Sequence, residues 1–199
     1  MNAFRGVHHL ALNTDDMKMT IDFYAGVLGL PLIHAMRVPP GLGAGAGNRG
    51  NPPYENLRHY FFDMGGDSTL AFFEIPKGAK PHGDRNSIAS MQHVALATSP
   101  EGAADLLERL ERHGVENSGA IETLPGLMSV YFFDPNGIRL EFAWRPVDVA
   151  NDIHVIDSVS QTRSDAVAEL RTLDDDTAWL DRVTAEWPHR TLAHPYKSG

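Results

Sequence analysis

The chain has 199 residues, of which 42% are hydrophobic, and a formal net charge of −9. This length and composition fit one globular domain, or two small repeated modules that share a core. The negative charge disfavours binding to nucleic acid or to anionic membranes, both of which require a basic surface. The absence of cysteine excludes disulfides, thiolate metal ligands and cysteine nucleophiles.

The first predicted element is a short strand at residues 7–12. The N-terminal sequence MNAFRGVHHLAL has no apolar stretch long enough for a signal peptide or a membrane span, so we expect a cytoplasmic protein. Residues 14–30 follow with the apolar spacing of a helix. Thr14 or Asp15 is the expected N-cap of this helix, and Gly29 is its expected end.

Three more strands complete a first β-α-β-β-β module, for which we expect the boundaries 1–80. These strands are predicted at residues 31–38, 58–63 and 69–75. Residues 38–53, VPPGLGAGAGNRGNPP, contain five glycines and four prolines. This composition is incompatible with a helix or a strand and predicts a long inserted loop, of the kind that often covers an active site.

A second β-α-β-β-β module is predicted at residues 88–146, after a linker at residues 81–86. Its strands are expected at residues 91–97, 120–123, 129–134 and 138–143, with a helix at 101–113. The sequence DPNG predicts a tight turn before the last strand. A C-terminal extension at residues 147–199 is expected to be helical, with helices near 164–173 and 177–187.

Two histidines and two glutamates recur at matching places in the two halves. His9 begins HLALNT and His93 begins HVALAT. Each half ends in an apolar strand with one glutamate, Glu74 in LAFFEIP and Glu141 in IRLEFAW. Because side chains alternate between the faces of a strand, we expect all four to project from the face opposite the leucines. Imidazoles and carboxylates are common metal ligands, so the repeat predicts one metal site built from these four residues.

Two segments resemble the vicinal oxygen chelate superfamily, which includes glyoxalase I, bleomycin-resistance proteins and extradiol dioxygenases. FYAGVLGLPL at residues 23–32 resembles the helix exit of the first module, and YFFDPNGIRLEF at residues 131–142 resembles the closing hairpin of the second. The resemblance covers about residues 5 to 146. It implies an α+β fold in which two paired β-α-β-β-β modules form a half-barrel metal cup.

The resemblance also implies roles for the four residues. Positions equivalent to His9, His93 and Glu141 are ligands across much of the superfamily, and a ligand at the Glu74 position is typical of the glyoxalase and epimerase branch. Four protein ligands on an octahedral ion leave two open positions, which suits a substrate that chelates through two oxygens. We therefore expect a glyoxalase-like lyase or isomerase that binds one divalent ion (Fe, Mn, Ni, Co or Zn). Glu141 or Glu74 would be the catalytic base for proton transfer.

Glutathione is not expected as a cosubstrate. Glyoxalase proper has an arginine four residues after its first histidine, where this chain has Asn13. It also has an asparagine four residues after its first glutamate, where this chain has Gly78. The expected substrate is another small oxygenated molecule.

Two other functions stay open. An Fe(II) extradiol-type dioxygenase acting on a catechol-like substrate would use two histidines and one carboxylate, with Glu74 unbound. Tyr131 matches the closing tyrosine of ring-cleaving relatives, but these also carry a histidine in the preceding strand, and residues 121–131 contain none. A metal-free binding protein similar to the bleomycin-resistance proteins would have no need of four ligand residues.

The arrangement of the modules affects where the site forms. They can pair within one chain, or across a dimer in which His9 and Glu74 meet His93 and Glu141 of the partner subunit. We expect a homodimer with a small-molecule substrate and with no nucleic-acid or membrane partner.

Overall fold

The computed structural model describes residues 6–41, 56–78, 82–185 and Trp187. In the first half, the described residues form four strands and one helical segment. These are β1 (His9–Thr14), α1 (Met17–Ile21) with a π-helical continuation (Asp22–Val27), β2 (Leu32–Arg37), β3 (Arg58–Asp63) and β4 (Thr69–Glu74).

The second half repeats this order. Its elements are β5 (Val94–Ala97), α2 (Pro100–Arg112), β6 (Ile121–Leu124), β7 (Leu127–Phe133) and β8 (Arg139–Trp144). Three short helices follow, α3 (Val155–Val159), α4 (Arg163–Leu170) and α5 (Thr177–Val183).

Each half forms its own four-stranded mixed sheet. The strand orders are β1-β4-β3-β2 and β5-β8-β7-β6, so the two sheets have the same topology. In each sheet the first strand pairs parallel with the last, and the remaining pairs are antiparallel. The α+β fold of two β-α-β-β-β units with C-terminal helices, predicted from the sequence, is confirmed.

The first helix begins two residues later than its earliest predicted cap. Asp16 is the N-cap, and its side chain accepts a hydrogen bond of 2.9 Å from the backbone N–H of Met19. Thr14, one of the two predicted caps, is instead the last residue of β1. The predicted end is confirmed, because Gly29 has a φ of +76°, a left-handed conformation that glycine adopts without steric cost.

A single apolar core joins the two modules. One face of each sheet contributes alternate residues to this core, including Leu70 and Phe72 from β4 and Leu140 and Phe142 from β8. The helical segments of both modules cover these faces, with Tyr24 fully buried. Exposed residues of β1, among them His9 and Ala11, alternate with the core residues and lie on the opposite face, and we call this side of the first sheet its open face.

A polar joint between the modules lies at the turn between β7 and β8. The buried hydroxyl of Tyr24 donates a hydrogen bond of 3.0 Å to Oδ2 of Asp134. Asn136, in the same turn, accepts a hydrogen bond of 2.7 Å from Thr14 and donates one of 3.3 Å to Thr20. Burial raises the pKa of Asp134, and it raises the pKa of Tyr24 well above its ordinary value.

The C-terminal extension is helical, but its helices differ from the predicted ones. The helix α3 was not predicted, and α4 and α5 end before residues 173 and 187. Asp176 caps α5 by accepting a hydrogen bond of 3.0 Å from Ala178 N–H. No helix among the described residues is long and apolar enough to cross a membrane. Most of the predicted inserted loop, residues 42–53, and the last residues of the extension lie outside the described part of the chain.

Replacing Tyr24 with phenylalanine should destabilise the protein by about 1–3 kcal/mol, because the buried Asp134 carboxylate loses a donor. Chemical denaturation monitored by circular dichroism measures this change. Tyr60→Phe is a matched control. Tyr60 is only half-buried, so removal of its hydroxyl group should reduce stability by less. An equal loss in both variants would contradict the special role of the Tyr24 hydroxyl.

The effect of Tyr24→Phe should also depend on pH. Burial raises the pKa of Asp134, so the folded protein binds this proton more tightly than the unfolded chain does. The stability that this group contributes is therefore present at low pH and is lost as pH rises through the raised pKa. Removing the donor raises that pKa further, so the deficit of Tyr24→Phe should be larger at pH 7 than near pH 4. A loss of stability in Tyr24→Phe that does not change with pH would indicate that altered packing, rather than the lost hydrogen bond to Asp134, is its cause.

Candidate metal centre

The second sheet brings two of the four predicted ligands together. His93 directly precedes β5, and Glu141 lies in β8, the parallel neighbour of β5. The Nε2 atom of His93 is 3.0 Å from Oε2 of Glu141. Two donors bound to neighbouring positions of one metal, with bonds of about 2.1 Å at right angles, are also about 3.0 Å apart. The pair therefore fits a divalent ion.

Ser129 and His93 contact the two oxygens of the Glu141 carboxylate. The hydroxyl of Ser129, on the adjacent strand β7, donates a hydrogen bond of 2.6 Å to Oε1 of Glu141. Ser129 is itself fully buried and forms a 2.9 Å hydrogen bond with Thr123 on β6. One carboxylate oxygen is thus occupied by the protein, and the other faces His93.

The imidazole of His93 is oriented through its second nitrogen. Nδ1 of His93 contacts Oε1 of Gln92, and Arg139 donates a hydrogen bond of 3.2 Å to the same oxygen. An amide oxygen only accepts hydrogen bonds, so Nδ1 of His93 carries the proton. Nε2, which faces Oε2 of Glu141, is then the nitrogen that can bind a metal, which is how outer partners commonly prepare a histidine ligand.

Tyr131 closes one side of this half-site. Its ring lies edge-on to His93, with the ring centroids 5.9 Å apart, and the Arg139 guanidinium lies 4.2 Å above the ring centroid. Burial, followed by the neighbouring charge of Glu141, raises the pKa of the Tyr131 hydroxyl. The hydroxyl is therefore protonated at neutral pH and can donate a hydrogen bond.

His9 occupies the equivalent position in the first sheet. It begins β1 and lies next to Leu10, which pairs with Leu70 as Val94 pairs with Leu140. Its Nδ1 atom is 2.9 Å from Nδ1 of His8. In both modules, therefore, the residue before the candidate ligand contacts its Nδ1 atom, so that Nε2 is the nitrogen that can bind a metal.

The prediction that Glu74 joins His9 is wrong. His9 pairs with Thr69 at one end of the parallel β1–β4 ladder, and Glu74 pairs with Thr14 at the other end. The backbones of His9 and Glu74 are therefore five residues apart along the strand direction, or about 16 Å. Glu74 also alternates with Ala71 and Phe73, so it lies on the helix-covered face with Leu70 and Phe72.

Glu74 has a structural role at the start of α1. Its Oε1 atom accepts a hydrogen bond of 2.9 Å from the backbone N–H of Met17, and its Oε2 atom forms an ion pair with Arg58. An acceptor at this place satisfies one of the free N–H groups at a helix start. Both oxygens of the Glu74 carboxylate therefore already have partners within the protein.

The true counterpart of Glu141 in the first sheet is Ala71. Ala11 pairs with Ala71 in the first sheet, as Ala95 pairs with Glu141 in the second. The sequence contains the signal for this alignment: Leu70-Ala71-Phe72 matches Leu140-Glu141-Phe142 without a gap. At the positions that match His93 and Glu141, the first module therefore has a histidine and no carboxylate.

Two histidines that have no counterpart in the repeat, His34 and His59, lie on the open face of the first sheet. The rings of His9, His34 and His59 all contact Phe61, with centroid distances of 5.8, 5.7 and 4.4 Å. His59 also stacks on Phe73 at 3.7 Å. Strand pairing would have found this cluster, because His34 is paired with Phe61 and His59 with Phe73.

Within one chain, His9 does not join His93 and Glu141 in one metal site. His9 lies in the first sheet, whereas His93 and Glu141 lie at the second. Among the described residues, no three histidine or acidic side chains are close enough together to hold one metal ion. One chain thus presents two incomplete half-sites.

The two glutamates should respond differently to substitution. Glu141→Ala should lose stoichiometric metal, whereas Glu74→Ala should retain it and lose about 1–2 kcal/mol of stability, because the start of α1 and Arg58 lose their partner. Elemental analysis and chemical denaturation measure the two effects. Glu111→Ala, on the exposed side of α2, is the control. Loss of metal from a well-folded Glu74→Ala protein would restore the four-ligand prediction.

Among proteins of similar sequence is "Putative ring-cleaving dioxygenase MhqA" of Bacillus subtilis (strain 168). The two are 33% identical over 138 residues, which is 68% of this chain and 39% of the relative. The chain therefore spans about two fifths of that relative's length.

Solved structures share the fold. A glyoxylase/bleomycin resistance protein/dioxygenase domain from Frankia sp. EAN1pec superposes with a TM-score of 0.57 at 18% identity, covering 74% of this chain and 96% of that one. A putative dioxygenase from Bacillus subtilis subsp. subtilis str. 168 superposes with a TM-score of 0.52 at 27% identity, covering 70% and 40% of the respective chains.

The model of one family matches residues 6–142, which include both candidate half-sites and both sheets except the last two residues of β8. This range agrees with the β-α-β-β-β repeat and leaves the C-terminal helices outside. The chain belongs to the Glyoxalase/Bleomycin resistance protein/Dioxygenase superfamily.

Proposed function

We propose that this protein is a divalent-metal dioxygenase that opens the ring of a catechol-like aromatic compound. The observation that carries the proposal is the donor set. His9, His93 and Glu141 keep positions suited to metal binding, while Glu74 is committed to the start of α1. Two histidines and one carboxylate are the ligands typical of non-haem iron oxygenases.

The number of ligands separates this proposal from a glyoxalase-like reaction. The expectation of a lyase or isomerase depended on a fourth ligand that leaves two open positions. A metal held by three protein ligands keeps three positions, enough for two substrate oxygens and dioxygen. The name of the Bacillus subtilis relative, a ring-cleaving dioxygenase, supports the same choice.

The chain's own residues fit the handling of an aromatic substrate. Phe61 on the open face of the first sheet offers a stacking surface for a planar ring. Tyr131, held beside Glu141 and His93, would donate a hydrogen bond to a substrate oxygen. Ser129 and Gln92 fix the two ligands of the second sheet, so they need little rearrangement when substrate binds.

The centre would be completed by a second copy of the chain. His9 of one subunit would join His93 and Glu141 of the partner subunit, and a two-fold axis would generate two equal sites. Support comes from the separation of the half-sites within one chain and from the apolar residues exposed on the edge strands, Leu32 and Ile33 of β2 and Ile121 and Leu124 of β6.

Oxygen uptake tests the proposed reaction. The protein is first reconstituted with Fe(II) in the absence of air. In aerated buffer it should then consume oxygen when catechols are added, and the product should show the absorption spectrum of a ring-opened compound. Glu141→Ala should lose at least about a thousandfold in rate if it loses the metal, and Glu74→Ala should keep most of the rate. Bound metal with no oxygen uptake on any catechol would contradict ring cleavage. Absence of bound metal would leave the binding-protein alternative.

Subunit complementation tests the shared site. His9→Ala and Glu141→Ala chains with different tags are coexpressed, and mixed dimers are purified through both tags. Each mixed dimer would contain one intact site and one doubly defective site, so about half of the wild-type activity should return. Pairing within one chain predicts no recovery, because each chain then carries a defect in its own site. Failure to recover any mixed dimer would also contradict the proposal.

A further inference from the structure

The open face of the first sheet contains a buried histidine that the proposed metal centre does not use. His59, in β3, is 9% exposed and lies between two aromatic rings. It stacks on Phe73 with an interplanar angle of 3°, and its edge meets Phe61. The ring is therefore held in one orientation.

The hydrogen bond of His59 fixes which nitrogen carries the proton. Nδ1 lies 3.2 Å from the backbone carbonyl oxygen of Phe72, which can only accept a hydrogen bond. Nδ1 is thus the donor, and Nε2 carries the lone pair in the neutral ring.

The Nε2 atom of His59 is available to a ligand. No hydrogen-bond partner for it is found among the described residues, and every fully buried side-chain nitrogen or oxygen there has a partner. Nε2 must therefore be at the accessible surface rather than enclosed in the core. Burial of the ring, with smaller contributions from the imidazoles of His9 on β1 and His34 on β2, lowers the pKa of His59. The ring is neutral at pH 7.

Phe61 links His59 to the candidate metal ligand of the same sheet. The rings of His9 and His59 both contact Phe61, with centroid distances of 5.8 and 4.4 Å, and the strand register places Phe61 between the levels of the two histidines. A planar substrate stacked over Phe61 would have one end at His9 and would extend toward His59. Along this face, the candidate ligand His9, the stacking surface of Phe61 and the proton acceptor His59 therefore follow one another in space.

We propose that His59 is the catalytic base that removes the proton from a substrate hydroxyl group. This inference rests on the proposed function and names the residue that activates its substrate. In the step, the substrate O–H bond breaks and an Nε2–H bond forms, so the substrate gains one negative charge and His59 becomes an imidazolium. The proton then leaves to solvent or is returned to the product.

The variant His59→Asn separates the catalytic role from a structural one. The asparagine amide can still donate to the Phe72 carbonyl, as Nδ1 does, but it has no base at the Nε2 position. We expect a folded, metal-loaded protein whose kcat/KM for oxygen uptake falls about 100- to 10,000-fold. His34→Asn is the matched control, because His34 touches the same phenylalanine and is exposed, and it should keep the wild-type rate.

The pH profile gives a second readout. The wild-type kcat/KM should fall at low pH as His59 is protonated, since a protonated ring cannot accept the substrate proton. In His59→Asn this acidic limb should disappear, and the residual rate should rise with pH as the substrate ionises in solution. An unchanged rate and profile in His59→Asn would overturn the assignment while leaving ring cleavage in place.

Binding of 4-nitrocatechol tests His59 without turnover. This probe changes colour when its hydroxyl groups ionise, so anaerobic titration of the metal-loaded protein reports its protonation state. Wild-type protein should bind the probe in a more ionised form, and His59→Asn in a less ionised form, at the same pH. This difference would support His59 even if the protein took up no oxygen and the proposed function failed. The same ionisation in both proteins, or no binding to wild type, would contradict the inference.

Discussion

The alternation of side chains along paired strands determines which residues can form the candidate centre. β4 and β8 occupy the same place in their sheets, and the pairing of Ala71 with Ala11 and of Glu141 with Ala95 fixes their register. A shift of three residues places Glu74 at the other end of its strand and on the opposite face. The resulting set of two histidines and one carboxylate decides the proposed chemistry.

Much of the fold could be predicted because its signals are local. Turn sequences and apolar spacing placed all eight strands to within about three residues at either end, and β3 was predicted with its observed bounds, Arg58–Asp63. The N-cap is Asp16 rather than the predicted Thr14 or Asp15, because residues that can cap a helix stand in a row here and only backbone geometry selects among them. The helix α3 was missed because five residues carry too weak a periodic signal.

The candidate site was only partly predictable because it depends on strand pairing. His93 and Glu141 were found from their repeat context, and the structure places them in contact. Glu74 was misassigned because one glutamate per closing strand suggested a repeat, although the Leu-x-Phe pattern in each strand gives a different alignment. His59 was not identified, because it has no counterpart in the second half. Its contacts with Phe73 and Phe61 come from pairing and ring packing, which single-sequence patterns do not report.

The joint formed by Tyr24, Asp134, Thr14 and Asn136 has a consequence for how the two modules can be separated. The first module supplies the donor for a buried carboxylate of the second, and the shared apolar core continues across the same boundary. A fragment carrying the second sheet alone would expose that core to water and lose the Tyr24 hydroxyl. The repeat that is visible in the sequence therefore does not divide the protein into independent folding units, and exchange of modules between homologues must transfer both sides of this joint together.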